Sequence, residues 1–349
     1  MFSDNSRILV IRFSSLGDLV LMLPMLRALR MEHPTSVIEV VTKARFGDLF
    51  KSVAGVDRLH LLKEEDITGL SRMVSLLRRH KYDLLIDAHN VIRSRALSLM
   101  LRADRKIRLR KEHMKKILLI KGRRPIAEGF TSQIDRYLEI TDSIGVPRPN
   151  SRTLLETSEE TRLTVSEKLD INGRGDRDLV AIAPGARWAS KRWPEESFNQ
   201  VANNLAGRGF CVLLVGNGEE RELCERIRNN NPHIINLAGN LKIHETAAAL
   251  EISRCLVTND SAPMHLAEAV DTPVVAIFGP TIREFGFSPH LPHSILVDNA
   301  MECRPCSRNG SVSCRFGTLE CLTSIDSERV LESVAKILDD LPGNIPGGE

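Results

Sequence analysis

The sequence predicts an α/β protein built from two Rossmann-like domains, and three observations carry that prediction. Short aliphatic runs such as RILVIRF (7–13) and DLVAIAP (178–184) alternate with amphipathic stretches along most of the chain. Parallel strands covered on both faces read as unbroken apolar runs, with crossover helices filling the gaps between them. The alternation lapses into a polar stretch after GVPRPN (145–150) and restarts at 178. The chain has 349 residues, which at about 100–200 residues per domain suits two cores better than one.

The elements follow in order. RILVIRF is a buried strand, succeeded by a Ser/Gly turn and a helix near 18–31, and VIEVVT (37–42) is the second strand. HKYDLLIDAH (80–89) holds a third, flanked by helices, before KIRLR (106–110) and a Ser/Asp-rich helix over 131–144. In the second series DLVAIAP leads to a helix in PEESFNQVANNLAGRG and then to FCVLLVG (210–216). A helix at 219–230, HIINLAG (233–239), a helix at 243–252 and CLVTND (255–260) come next. A helix at 261–270 and TPVVAIFG (272–279) complete the series, and a final helix at 326–341 precedes a Pro/Gly tail. Two successive βαβ series place domains at 1–165 and 166–325, with 326–349 as a terminal helix and tail. No repeat of 20–50 residues is visible.

Composition removes several classes. No run reaches ~18 uninterrupted apolar residues, so no transmembrane helix is expected. The start, MFSDNSRILVIRF, reads as a strand rather than a signal peptide, which makes the cytoplasm the expected compartment, with reduced thiols. Aromatic residues are 4% of the chain, too few for stacking platforms that hold single-stranded nucleic acid. The net charge of +3 conceals an asymmetry: residues 1–165 carry 30 Lys+Arg against 20 Asp+Glu, and the remainder 18 against 25. Most of the basic excess lies in 102–124, RADRKIRLRKEHMKKILLIKGRR, with eleven Lys/Arg and two acids. Its interleaved aliphatics suit an anionic lipid or phosphoglycolipid surface, although a solvated face has the same composition.

Five further segments bear chemistry. In RFSSLGDLV (12–20) a strand ends, Ser14, Ser15 and Gly17 turn the chain, and Asp18 opens a helix. Ligands of open α/β sheets bind at the carboxyl ends of strands, so Asp18 is either an N-cap or a working carboxylate. In GARWASKRWP (185–194), Gly185 permits close approach while Lys191 and Arg192 offer cations beside a helix start, a phosphate-binding arrangement or a solvated pair. In VTNDSAPMHLAEAV (257–270) the amides of Ser261, Ala262, Met264 and His265 lack intrahelical partners and suit an anion, while Asp260 can accept from a sugar hydroxyl. In VGNGEERE (215–222), Glu219 or Glu220 can hold a sugar hydroxyl. Cys303, Cys306, Cys314 and Cys321 fall within 19 residues; their spacing fits a zinc or iron site, free thiols or, less readily in this compartment, disulfides.

Taken together, RFSSLGDLVLMLPMLRALR, YDLLIDAHNVIRS, GARWASKRWPEESF, VTNDSAPMHLAEAV and VVAIFGPT occur in an order and spacing that resembles the ADP-heptose:lipopolysaccharide heptosyltransferases of glycosyltransferase family 9. The similarity spans about residues 7–330. It implies a GT-B fold, two Rossmann-like domains facing across a cleft, with an acceptor-binding N-terminal domain, a nucleotide-sugar-binding C-terminal domain and a terminal helix that crosses back to the first. It implies an inverting enzyme that moves heptose from ADP-heptose to a phosphorylated lipid A–core acceptor, in the cytoplasm at the inner membrane face. No cofactor is required by that chemistry, and no nucleic-acid partner is expected. On the resemblance, Asp18 is the general base, and Ser15, Gly17 and Arg93 lie on the acceptor side. Lys191 neutralises the donor diphosphate, assisted by Gly185, Ser261, Ala262 and His265. Asp260 and Glu219 contact sugar, with Glu220 the alternative to Glu219, and Leu241 lies against adenine. DAHN (87–90) departs from the family's commoner D-[LA]-Q-G, and the cysteine segment belongs to only part of the family. Other readings are another nucleotide-sugar donor, a nicotinamide-dependent oxidoreductase, which lacks its G-x-G-x-x-G here, and a basic adaptor for membrane or RNA.

Overall fold

The computed structural model describes residues 6–63, 67–122, 131–149 and 155–340. The chain forms two compact units, Met1–His113 with Thr131–Glu156, and Met114–Phe130 with Thr157–Glu349.

The first unit opens with β1 (Arg7–Ile11), α1 (Leu16–Leu21), α2 (Leu23–Glu32), β2 (Val37–Lys43) and β3 (Arg58–Leu62). It continues through α3 (Ile67–Leu77), β4 (Lys81–Asp87), α4 (Ile92–Met100) and β5 (Arg102–Arg108). The chain then passes through α5 (His113–Ile120), nearly all of it grouped with the second unit, and returns in α6 (Gln133–Asp142). The five strands are parallel in the order β3-β2-β1-β4-β5. Ile8 to Ile11 and Leu84 to Ile86 are fully buried, as central strands between two helical layers require. The helix expected over 18–31 is two helices meeting at Met22, because Pro24 in the first turn of α2 has no N–H to continue α1. Two edge strands differ from expectation for one reason. β3 and β5 are largely solvent-facing, so neither shows the continuous apolar run of a buried strand.

The second unit contains α7 (Glu159–Ile171), β6 (Leu179–Ala183), α8 (Glu195–Gly207), β7 (Cys211–Leu214), α9 (Arg221–Arg228) and β8 (Ile234–Asn236). Then follow α10 (Ile243–Glu251), β9 (Cys255–Asn259), α11 (Ala262–Ala269), β10 (Val274–Phe278), β11 (Ile295–Asp298), α12 (Glu320–Thr323) and α13 (Ser327–Asp340). Its six parallel strands run β11-β10-β9-β6-β7-β8. α7 starts inside what the sequence suggested was the first domain. It belongs to the second unit because Lys168 pairs with Glu245 of α10 at 2.9 Å and Thr157 bonds Glu251. α13, expected to reach the first domain, places Val330, Leu331, Val334 and Ile337 in the second unit's core beside Trp193 and Phe198. Within that unit Glu268 is fully buried and accepts from His290 N (2.7 Å), Leu291 N (2.9 Å) and Ser294 Oγ (3.0 Å). Among the described residues no helix is long and apolar enough to cross a membrane.

The basic stretch 102–124 is not one amphipathic element. It divides into the edge strand β5, a connection and α5, and Arg123 and Arg124 lie outside the described residues. Lys116 is buried within the second unit, donating to Phe285 O at 2.7 Å with its ammonium near the rings of Phe285 and Phe287. The Pro/Gly tail expected after the last helix also lies outside the described residues.

Candidate active site

In the first unit the carboxyl ends of β1 and β4 hold a compact charged group. Ser15 caps α1, and Asp18 in the first turn accepts from Ser15 Oγ at 2.7 Å and Ser15 N at 3.4 Å, both on Oδ2. The same oxygen meets Arg12 Nη2 at 2.8 Å. Arg12 is only 5% exposed, donates to Ala88 O at 2.5 Å and lies over the Tyr137 ring. Asp18 is therefore both a cap and a carboxylate whose orientation a buried guanidinium fixes, a combination that goes beyond capping. Gly17 is buried, Ser15 exposed and Arg93 exposed at the start of α4.

The unusual DAHN segment is a turn. Buried Asp87 accepts from the main chain of His89 (3.1 Å) and Asn90 (2.7 Å), and Asn90 adopts φ 50°. His89 packs edge-on against Phe13, and burial, then the charges of Arg12 and Lys111, push its pKa down to about 3. Its imidazole is neutral near pH 7 and offers one donor and one acceptor. Burial and Arg12 also lower Lys111.

In the second unit the strand ends of β6, β7, β9 and β10 converge. Lys191 forms an ion pair with Asp260 Oδ2, which also accepts from Thr281 Oγ1 at 2.6 Å. Asn259, one residue earlier, fixes the loop carrying Lys191: its Oδ1 accepts from Trp193 N at 3.0 Å and its Nδ2 donates to Pro184 O at 2.7 Å. Ser261 is the N-cap of α11, which begins at Ala262 with Pro263 in its first turn, and His265 is buried in the next turn. A cation and a helix start thus share one strand-end surface, the arrangement that suits a phosphate-bearing ligand. Thr281 was not singled out from sequence, although it is the first hydroxyl after the apolar run of β10 in VVAIFGPT.

The two glutamates of the Gly-rich turn separate clearly. Glu219 is exposed, whereas Glu220 folds back so that its carboxylate lies against Gly185 and Gly216, accepting from Asn217 N at 2.8 Å. A Cβ at Gly216 would lie 2.7 Å from Glu220 Oε2, so the glycines make room for this carboxylate. Burial raises its pKa against the opposing pull of the Asn217 amide and Arg192. Leu241 is half-buried in the loop after Gly239, whose N–H donates to Gly216 O at 2.9 Å, and so adjoins the same turn.

The cysteine segment does not gather its thiols into a metal centre. All seven cysteines are free, and among the described residues no three His, Cys, Asp or Glu side chains are arranged to hold a metal ion. Cys321 is buried in the core beside Leu322 and Ile325, and burial pushes its thiol up to about 11. Cys314 is instead held below its ordinary value by main-chain amides, that of Phe316 foremost. The zinc or iron expectation thus finds no supporting arrangement. What the segment does is clasp loops. Ser190 N donates to Ser311 O (3.2 Å) while Ser311 N donates to Ser190 Oγ (2.8 Å), and Arg304 donates to Thr281 O at 2.7 Å.

Two parallel sheets, a carboxylate held by arginine and a cation beside a helix start suit an enzyme that transfers a group from a phosphate-bearing donor. Residues 70–315 match glycosyltransferase family 9 (heptosyltransferase), and the chain belongs to that family. It is 25% identical over 351 residues to lipopolysaccharide heptosyltransferase 2 of Salmonella typhimurium, covering 96% of this chain and 99% of that one. Among solved structures it resembles a family 9 glycosyltransferase from Veillonella parvula (TM-score 0.79, 22% identity, 97% and 98% of the two chains). It also resembles the Escherichia coli ADP-heptose lipopolysaccharide heptosyltransferase II (TM-score 0.76, 22% identity, 95% and 98%). The fold class is therefore the GT-B class expected from sequence.

Proposed function

We propose that this enzyme transfers heptose from ADP-heptose to the inner core of lipopolysaccharide, on a Kdo–lipid A or heptosyl-Kdo–lipid A acceptor, with inversion at the anomeric carbon. The observation that carries the reading is the Lys191–Asp260–Thr281 group beside the start of α11. The name of the Escherichia coli structural relative supplies the donor, and the names of the curated relatives supply the acceptor class.

In this mechanism an acceptor hydroxyl attacks the anomeric carbon as the bond to the diphosphate oxygen breaks on the opposite face. Asp18 takes the hydroxyl proton, general-base help worth about 10²–10⁴-fold. Lys191 leaves Asp260 for the diphosphate, and with the amides of Ser261 and Ala262 and the side chain of His265 stabilises the departing charge. Asp260 and Glu220 then accept from sugar hydroxyls, with Glu220 taking the role first assigned to Glu219, and Leu241 supports the adenine. The cationic neighbourhood of Arg12, Arg93 and Lys111 suits acid groups on the acceptor, and the enzyme works at the cytoplasmic face of the inner membrane.

The test is ADP release by purified protein supplied with ADP-heptose, with and without acceptor, and with ADP-glucose as a competing donor. Asp18→Asn should lose at least about a hundredfold in transfer while ADP affinity measured by calorimetry is retained. Near-normal turnover of that variant removes Asp18 from its role, and preference for ADP-glucose removes the heptose assignment.

A further inference from the structure

Helices α3 and α4 lie side by side in the first unit. Their inner faces supply Met73, Val74, Leu77 and Leu97 to the core. Their outer faces are unusual in two independent respects. Ile67 (84%), Leu76, Ile92 (86%), Leu99 and Met100 are exposed, five of the twelve large exposed apolar side chains among the described residues. α3 with the turn after it (67–80) and α4 (92–100) also carry five Arg and no Asp or Glu. Surface helices ordinarily mix charges of both signs, and isolated exposed apolar residues need no explanation; a shared face with cations only and protruding aliphatics does.

The placement is also directional. Crossover helices run antiparallel to their strands, so the N-termini of α3 and α4 lie at the strand ends where Asp18 stands. The two exposed isoleucines of this face, Ile67 and Ile92, occupy those N-termini. Arg93 adjoins Ile92 and acts electrostatically on His89, as does Asp18. The basic side chains match an anionic surface and the aliphatic ones its hydrocarbon boundary. The face holds no exposed Phe, Tyr or Trp to stack on bases, which separates it from an RNA-binding surface.

We propose that the outer face of α3 and α4 is the membrane-docking surface, seating the first unit on an anionic bilayer with the Asp18 end turned toward the lipid. This deepens the membrane contact of the proposed function, and it moves that contact from the 102–124 stretch to two other elements. The experiment is vesicle co-sedimentation of the full chain with phosphatidylcholine alone or mixed with phosphatidylglycerol, read without donor or acceptor. The expected result is salt-sensitive binding to the mixed vesicles only. Arg78→Glu/Arg79→Glu and, separately, Leu99→Ser/Met100→Ser should each weaken it by about tenfold or more, with ADP release on a soluble acceptor and the melting temperature unchanged. Vesicle binding that survives in both double variants overturns this surface while leaving membrane contact intact. Failure of the unaltered chain to bind anionic vesicles overturns both. Tighter retention by RNA homopolymers than by vesicles, lost in the arginine variant, replaces the lipid with nucleic acid.

Discussion

Gly185→Ala offers a direct test of the proposed donor-side geometry. The new methyl group would overlap the carboxyl carbon and Oε1 of Glu220 and lie 2.8 Å from its Oε2. Because the obstructing atoms are the end of a flexible side chain, the backbone holds and Glu220 swings away. That movement breaks the 2.8 Å bond from Asn217 N to the carboxylate, a charge-assisted bond worth about 1.5–3 kcal/mol. Because that bond is solvent-exposed and water replaces part of it, the substitution should cost about 1–2 kcal/mol of stability, and nearly nothing when Glu220 is already Ala. Four proteins, the parent, Gly185→Ala, Glu220→Ala and the double variant, are compared by urea denaturation and by ADP-heptose binding calorimetry. Both single variants should weaken donor binding by roughly 10–100-fold, and the double variant no further than either. Losses that add within about 0.5 kcal/mol would show that the two residues act independently, and refute the account.

Two further outcomes concern stability. His89 titrates at about 3 in the folded chain and near ~6.5 when unfolded, so between those values only the unfolded chain binds the proton. Stability should thus fall as pH drops from about 7 to 5, and His89→Gln should show a smaller fall in chemical denaturation midpoint; equal slopes would contradict the burial of the imidazole. Burial alone would raise the Glu268 carboxyl, but bonds from His290 and Leu291 outweigh it and hold it low, so its contribution is present above the ordinary carboxylate range and lost as pH falls through the lowered value. Glu268→Ala removes the acceptor of two amides, of the Ser294 O–H and of the His290 ring, and should cost about 3 kcal/mol in urea denaturation near neutral pH.

The central strands were legible because burial on both faces imposes a continuous apolar run, as in LVAIA and VVAIF. Asp18, Lys191 and Asp260 were legible as candidates because each follows such a run at a strand's carboxyl end. The edge strand β3 was not, since its exposed side chains include Arg58. The choice between Glu219 and Glu220 could not be read either. The two differ through a 3-10 turn over Gly218–Glu220 that leaves Glu219 exposed and folds the Glu220 carboxylate onto two glycines. The basic stretch was legible only in part. Charge density was visible, but not that Lys116 buries its ammonium between aromatic rings of the second unit.

The clasp between Ser190 and Ser311 spans 121 positions, and this has a temporal consequence. Synthesis proceeds from the N-terminus, and early-emerging domains fold first. The first sheet can therefore assemble while the loop bearing Lys191 still awaits its partner. That loop, and the Thr281 carbonyl that Arg304 secures, acquire their final restraints only once the cysteine segment has emerged from the ribosome. A nascent chain should accordingly present a folded first unit well before the Lys191 loop is fixed, and chains arrested before residue 304 should bind ADP poorly despite containing Lys191, Asp260 and Thr281.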